Sequence, residues 1–302
     1  MAAPSNGFSD LLNQVPRLQV RDEVRELSGG LTNRNLKVDT PNGVFVARIS
    51  SNKSALLSID RNAEYKNSKI AAHIGIGAPV YDFLPEFGLL VIGYLPGKTF
   101  NSQDVGNNLG RIAKSVKQLH SAKPFISDFD MFVIQQNYLK IITQRGFRMP
   151  DNYFDYADLV SQMKKALSVL DEGKVACNND LLAANFIDDG QKIWLIDYEY
   201  SGNNDACFEL GNIYSESNLS HDQLVELVDA YYGKHRPEKV ARAWLYALLA
   251  RYGWTLWACI QNSISDIDFN FWDWGMQKYE AAMKDFKSVE FKNALTAVTQ
   301  KS

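Results

Sequence analysis

The sequence predicts an α+β fold of two lobes: an N-terminal lobe with an antiparallel sheet and one helix, and a larger, mainly helical C-terminal lobe. The order of elements is the first observation behind this prediction, because strand-length apolar runs and one helical stretch come first and helical periodicity dominates afterwards. Composition is the second, since 302 residues with 46% hydrophobic and 22% charged side chains are typical of a globular protein. We expect the lobes to span residues 1–95 and 96–302.

Apolar runs and turn signals define the N-terminal lobe. Residues 8–27 predict a helical or irregular lead-in, and a glycine pair at positions 29 and 30 separates two strand-like segments. The elements predicted after it are a strand at 44–49, a helix at 60–73, and apolar stretches at 80–84 and 89–95. We expect the connection between the lobes near residues 93–97.

Helical spacing of apolar residues predicts most of the C-terminal lobe. The predicted helices cover residues 107–120, 158–172, 224–231, 237–260 and 272–286. A turn signal at 188–191 between two short apolar runs predicts a β-hairpin. Residues 124–153 are rich in aromatic residues and turn formers, and we assign them no element or chemistry.

Charge and cysteine content argue against several classes of protein. The net charge is -3 and no run of Lys or Arg is visible, so nucleic acid is not an expected partner. Three cysteines and four histidines are scattered, which indicates neither a disulfide framework nor a zinc site and fits a reducing compartment. Residues 1–7 lack a secretory pattern, and residues 243–260 are too short and too interrupted to span a bilayer. We therefore expect a cytoplasmic protein.

Three polar residues around the predicted hairpin form the motif that carries chemistry. Asp180 and Asn185 lie five positions apart in a polar loop, and Asp197 follows an apolar run of strand length. A free carboxylate can accept a proton from a substrate hydroxyl, and one amide with one carboxylate supplies the hard oxygen ligands that Mg²⁺ prefers. This set of groups is what phosphoryl transfer requires of a protein.

The glycine pair offers a site for phosphate. Gly29 and Gly30 let the backbone approach a phosphate closely, and Thr32 and Asn33 add polar side chains. An ordinary hairpin turn would contain the same residue types, and the motif downstream is what favours the phosphate site.

Arg48 places one cation in a predicted strand among apolar neighbours. A buried guanidinium needs a partner, and Glu64 on the following helix is our candidate. The alternative is that both side chains lie on the surface.

An aromatic concentration marks the C-terminal part of the chain. Trp254 and Trp257 are three positions apart on one predicted helix and share a face, and Trp274 follows. Ring faces are what recognise a quaternary ammonium, which cannot donate hydrogen bonds. Packing between helices would explain the same spacing.

These motifs together resemble the choline/ethanolamine kinases, within the larger group that includes the aminoglycoside phosphotransferases. The resemblance is carried by residues 28–33, 178–185 and 195–200 and by the Trp254/Trp257 pair, and it implies a protein kinase-like fold. It also implies ATP and Mg²⁺, with Asp180 as the base, Asn185 and Asp197 as metal ligands, and the tryptophans as a choline pocket. We assign Glu199, inside the third motif, to the substrate side.

Two positions depart from the family pattern. Asn178 stands where the family usually has His, and Glu209 stands where it usually has an Asp that braces the catalytic loop. The expected activity is phosphorylation of choline, with ethanolamine, thiamine or an aminoglycoside as alternative alcohols. Because of Asn178, a catalytically weak nucleotide-binding protein is the alternative from another class.

Overall fold

A computed structural model describes residues 8–300, without the side chains at positions 52 and 54. The expectation about a secretory pattern at residues 1–7 lies outside the described residues. The strands are β1 Glu23–Leu27, β2 Asn33–Thr40, β3 Gly43–Ser50, β4 Val80–Leu84, β5 Leu89–Gly93, β6 Lys98–Thr99, β7 Val175–Cys177, β8 Phe186–Asp188, β9 Ile193–Leu195 and β10 Gly202–Asn204. The helices are α1 Ser9–Leu12, α2 Pro16–Gln19, α3 Arg61–His73, α4 Ser102–Gly106, α5 Leu109–His120, α6 Met131–Arg145, α7 Ala157–Leu167, α8 Ala206–Glu216, α9 His221–Tyr232, α10 Pro237–Ile264, α11 Phe271–Phe286 and α12 Val289–Ala297.

The N-terminal lobe is a five-stranded antiparallel sheet in the order β1-β2-β3-β5-β4. Apolar residues of β2, β3 and β5 form a core of their own with Leu12, Val15 and Leu18, which come from α1, α2 and the turn between them. The predicted lead-in is therefore two short helices followed by a strand, because residues 23–27 pair with β2.

Helix α3 begins where its sequence provides a cap. The Asp60 side chain accepts hydrogen bonds from the backbone N–H groups of Asn62 and Ala63, which the first turn of a helix leaves without partners. The helix lies in the N-terminal lobe, as expected, and it carries Glu64 and Arg61 into the interior.

The C-terminal lobe surrounds α10, which packs against α6, α8, α11 and α12. Pro237 occupies the first turn of α10, where its missing N–H costs nothing. The predicted hairpin is present as β8 and β9, and β6 adds a third strand to it. Helices α6 and α12 were not predicted: α6 begins at an Asp130 cap inside the segment to which the sequence assigned no element.

The described cysteines, Cys177, Cys207 and Cys259, are all free and buried. Among residues 8–300, no helix combines the length and apolar character needed to cross a bilayer.

Candidate active site

The loop between β7 and β8 brings Asp180 and Asn185 together beside Asp197. Asn185 donates from Nδ2 to the backbone oxygen of Asp180 at 2.7 Å, and this bond orients the amide so that its Oδ1 is the atom left to bind a cation. Asn179 and Asp197 have φ angles of 68° and 63°, in the left-handed region that side chains seldom adopt. Such backbone is held only where surrounding contacts fix it.

Asn178 supplies part of that fixation. Its Nδ2 donates to the backbone oxygens of Ile196 and Asp197 at 3.1 and 2.9 Å, and its Oδ1 accepts from the backbone N–H of Asp180 at 3.1 Å. One fully buried side chain therefore ties the loop of Asp180 to the segment of Asp197. Asn178 therefore holds the loop in place at the position where the family usually has His.

Glu209 on α8 braces the same loop from behind. Its two carboxylate oxygens accept from the backbone N–H groups of Asn178 and Asn179 at 2.8 and 2.6 Å, and the side chain is fully buried. His120 Nε2 lies 3.7 Å from Glu209, and its Nδ1 lies 2.8 Å from the hydroxyl of Tyr231. The predicted brace is therefore made, and His120 belongs to the packing behind the loop.

The predicted pair of Arg48 and Glu64 is present. Arg48 Nη2 lies 3.3 Å from Glu64 Oε1, and the same nitrogen donates to Asp197 Oδ1 at 2.5 Å. Burial alone would lower the pKa of Arg48, but the carboxylates of Asp197 and Glu64 raise it above its ordinary value. Arg48 therefore stays charged and links the sheet to the segment of Asp197.

Glu199 joins the lobes through its Oε2 atom. It accepts from Asn33 Nδ2 at 2.8 Å and from Arg61 Nη1 at 3.1 Å, although 166 positions separate Asn33 from Glu199. Burial and the nearby charge of Asp197 raise the pKa of Glu199 to about 7. Gln261 of α10 makes a further contact between the lobes, because its Nε2 donates to the backbone oxygen of Leu31 at 2.7 Å.

Two cavities meet at this loop. The larger, of ≈ 370 Å³, lies between the glycine pair and the backbone from Gly93 to Gly97, and Arg48 lines it. The smaller, of ≈ 90 Å³, is lined by Asp180 and by aromatic side chains. Both cavities share six lining residues: Gly29, Gly30, Asn35, Ala184, Asn185 and Asp197.

Aromatic rings form one wall of the smaller cavity. Trp254, Trp257 and Trp274 all line it, and Tyr200 lies with them. These three tryptophans are the ones predicted from the sequence to form one pocket. Trp257 donates from Nε1 to the Tyr200 hydroxyl at 2.8 Å, and the rings of Trp257 and Trp274 meet edge to face at 5.5 Å. Trp272 lies elsewhere, under the guanidinium of Arg148.

Carboxylates also line the smaller cavity: those of Asp180, Asp197, Glu199 and Glu216. Burial, together with the charges of Asp197, Glu199 and Glu216, raises the pKa of Asp180 well above its ordinary value. Glu216 was not singled out in the sequence, although it lies seven positions after Glu209 and so two turns further on the same face of α8.

The other residues predicted for the site differ in which cavity they border. Gly29 and Gly30 border both, whereas Thr32 and Asn33 line only the smaller one, and Glu64 lies behind Arg48. Residues that sequence reasoning missed are Arg61, Tyr200, Glu216, Gln261 and Lys278. Arg61, Glu216, Gln261 and Lys278 each contact a residue distant in sequence, which local pattern does not reveal, and Tyr200 lies inside the 195–200 motif without a role assigned to it there.

The chain is similar to known kinases over most of its length. The model of the family described as choline/ethanolamine kinase matches residues 24–232. Ethanolamine kinase 1 from Mus musculus is 25% identical over 92% of this chain and 88% of that protein. A choline/ethanolamine kinase family protein from Mesorhizobium loti superposes with a TM-score of 0.84 at 27% identity, covering 96% of this chain and 97% of that one. Choline kinase LicA from Streptococcus pneumoniae does so with a TM-score of 0.82 at 26% identity, covering 93% and 99%.

The fold and the site together define a phosphotransferase that acts on an alcohol group, with a protein kinase-like architecture. The chain belongs to the choline/ethanolamine kinase family.

Proposed function

We propose that the protein transfers the γ-phosphoryl group of ATP to the hydroxyl of choline. The observation that carries this proposal is the meeting of the two cavities at Asn185 and Asp197, with Asp180 on the side of the aromatic wall. A nucleotide in the larger cavity would direct its terminal phosphate toward a small alcohol in the smaller one.

The donor set fits a magnesium ion. Asn185 and Asp197 offer an amide oxygen and a carboxylate, and the bond from Asn185 Nδ2 to Asp180 leaves the amide oxygen for the cation. Bound there, Mg²⁺ would neutralise charge on the phosphate oxygens.

Asp180 receives the proton in the proposed reaction. The choline oxygen forms a bond to the γ-phosphorus as the bond from that phosphorus to the β-bridging oxygen breaks, and ADP leaves. The hydroxyl proton passes to the Asp180 carboxylate, whose raised pKa makes it a better acceptor than an exposed aspartate. Arg48, and the backbone at Gly29 and Gly30, would hold the phosphates.

The choice of choline rests on the aromatic wall. Trp254, Trp257, Trp274 and Tyr200 line the cavity. A trimethylammonium group gains roughly 0.5 to 2 kcal/mol from each ring face that it contacts. The cavity of ≈ 90 Å³ suits a small alcohol and is far below the roughly 300 Å³ at which pockets for larger ligands begin, which argues against an aminoglycoside.

Ethanolamine is the second candidate. The carboxylates of Asp180, Glu199 and Glu216 border the cavity and can accept hydrogen bonds from a primary ammonium. The similarity to an ethanolamine kinase supports the same substrate.

ADP release by purified protein with Mg²⁺ and ATP tests the proposal. Choline, ethanolamine, thiamine and an aminoglycoside are supplied separately, with Asp180→Ala as the control. Choline-dependent release at the highest kcat/KM of the panel is expected. Release no greater than that of Asp180→Ala with every alcohol would favour a catalytically silent nucleotide-binding protein instead.

A further inference from the structure

Lys278 places an internal ammonium beside the aromatic wall. It lies on α11, one turn after Trp274, and its Nζ is 4.2 Å from the centre of the Trp274 ring. The same Nζ lies 2.6 and 2.7 Å from the two carboxylate oxygens of Glu216. Both side chains are nearly buried, with 12% of Lys278 and 4% of Glu216 exposed.

This ion pair changes what Glu216 can offer a substrate. A carboxylate that borders the cavity would attract any cation and would accept N–H bonds from a primary ammonium. Lys278 engages both oxygens of Glu216, so the charge of Glu216 is balanced and fewer of its lone pairs remain for a substrate N–H. Glu199, the other glutamate of the cavity, is partly balanced by Arg61.

We propose that Lys278 determines specificity by occupying Glu216, which favours a quaternary over a primary ammonium. A primary ammonium loses the charge-assisted hydrogen bonds that an unpaired Glu216 would accept. A quaternary ammonium has no N–H to place, so it loses only part of a coulombic attraction and keeps the ring faces. This inference rests on the proposed function, since it concerns the same cavity and the same two alcohols.

Lys278→Met is the direct test, because it removes the ammonium and keeps an unbranched side chain of similar length. The readout is the ratio of kcat/KM for choline to kcat/KM for ethanolamine, in which any effect on Asp180 cancels. We expect the ratio to fall about tenfold, chiefly through a lower KM for ethanolamine. Lys278→Arg should keep the ratio of the wild type, because a guanidinium still occupies Glu216.

Lys174→Met is the matched control. Lys174 pairs with Asp128 at 2.7 Å on the surface, outside both cavities, so the ratio should not change. An unchanged ratio in a folded, active Lys278→Met enzyme would overturn the proposal.

Glu216→Gln gives a second test that does not depend on the first variant folding. If Lys278 already occupies Glu216, the substitution leaves an unpaired cation near the cavity. It should then weaken the binding of choline and of ethanolamine to the same extent. A selective loss of ethanolamine would mean that Glu216 binds its ammonium directly, and the proposal would fail.

Binding of unreactive cations separates this inference from the proposed function. Calorimetry with tetramethylammonium and methylammonium needs no turnover, so it remains decisive if the wild type phosphorylates neither alcohol. We expect Lys278→Met to improve methylammonium affinity about tenfold relative to tetramethylammonium. Equal changes in the two affinities would contradict the role given to Lys278.

Discussion

Trp257 is the side chain whose removal should separate substrate binding from nucleotide binding. It borders the smaller cavity, hydrogen-bonds Tyr200 and meets Trp274, whereas it does not line the larger cavity. We expect Trp257→Ala to raise the KM for choline about tenfold or more and the KM for ATP less than twofold. Steady-state kinetics with each substrate varied in turn measure both.

Trp272→Ala provides the matched control for that measurement. Trp272 lies on the same helix as Trp274 but stacks with Arg148 away from the cavity. It should leave both KM values unchanged. Equal increases in both KM values for Trp257→Ala would indicate a folding role for that ring.

Asn178 shows why a departure from a family pattern need not remove activity. Asn178→Ala would leave the backbone oxygens of Ile196 and Asp197 without their buried donor, and we expect a loss of about 1–3 kcal/mol in stability with a lower kcat. Urea unfolding and kcat at saturating substrates measure the two effects.

Asn178→Asp tests the direction of these bonds. The carboxylate keeps the acceptor for the Asp180 N–H but faces two carbonyl oxygens without a donor. It should therefore be at least as harmful as the alanine. Full activity in Asn178→Asp would show that the donation to Asp197 is dispensable.

At the scale of elements, the glycine segment depends on close backbone approach. A Cβ at Gly30 would lie 2.4 Å from the backbone oxygen of Asn33, so the loop would have to move. Because this loop borders both cavities, we expect Gly30→Ala to raise the KM for ATP about tenfold. Gly110→Ala is the control, since its Cβ in α5 would meet nothing within 4 Å and alanine favours a helix. An unchanged KM for ATP in Gly30→Ala would argue against a phosphate role for the loop.

The elements themselves were largely readable from sequence. Caps, Pro237 and apolar spacing are local, so α3, α5, α10, α11 and the β8–β9 hairpin lie within a few residues of their predicted ranges. Helix α6 was missed because its buried residues are mixed with aromatics and turn formers at its borders. Contacts between distant side chains could not be predicted in this way. Nothing in the sequence near Asn33 indicates that its side chain will bind Glu199.

At the scale of the whole molecule, the fold decides which part of the site could be predicted from the sequence. Asp180, Asn185 and Asp197 are close in the chain, so one hairpin is enough to gather them. The cavity walls require α8, α10 and α11 to pack together, and that packing is set by the entire core of the C-terminal lobe. Tyr200, Glu216 and Lys278 could therefore be assigned to the site only from the folded structure.

The charge balance between the lobes predicts that nucleotide binding depends on metal. Around Arg48 and Arg61, the carboxylates of Glu64, Asp197 and Glu199 already engage both guanidinium groups. A polyphosphate arriving without a cation would meet excess negative charge, and Mg²⁺ at Asn185 and Asp197 would offset it.

Thermal unfolding with Mg²⁺ and ATP measures this dependence. A ligand at 100 times its Kd adds about 2.7 kcal/mol to the free energy of unfolding, which should raise Tm by several degrees. EDTA should remove most of the shift, and Asp197→Asn should reduce it, because each removes a means of balancing the phosphate charge. Asp180→Asn should keep the shift and lose turnover, because its carboxylate serves the alcohol. A full shift in EDTA would mean that the nucleotide binds without the metal and that the pair of Asn185 and Asp197 has another role.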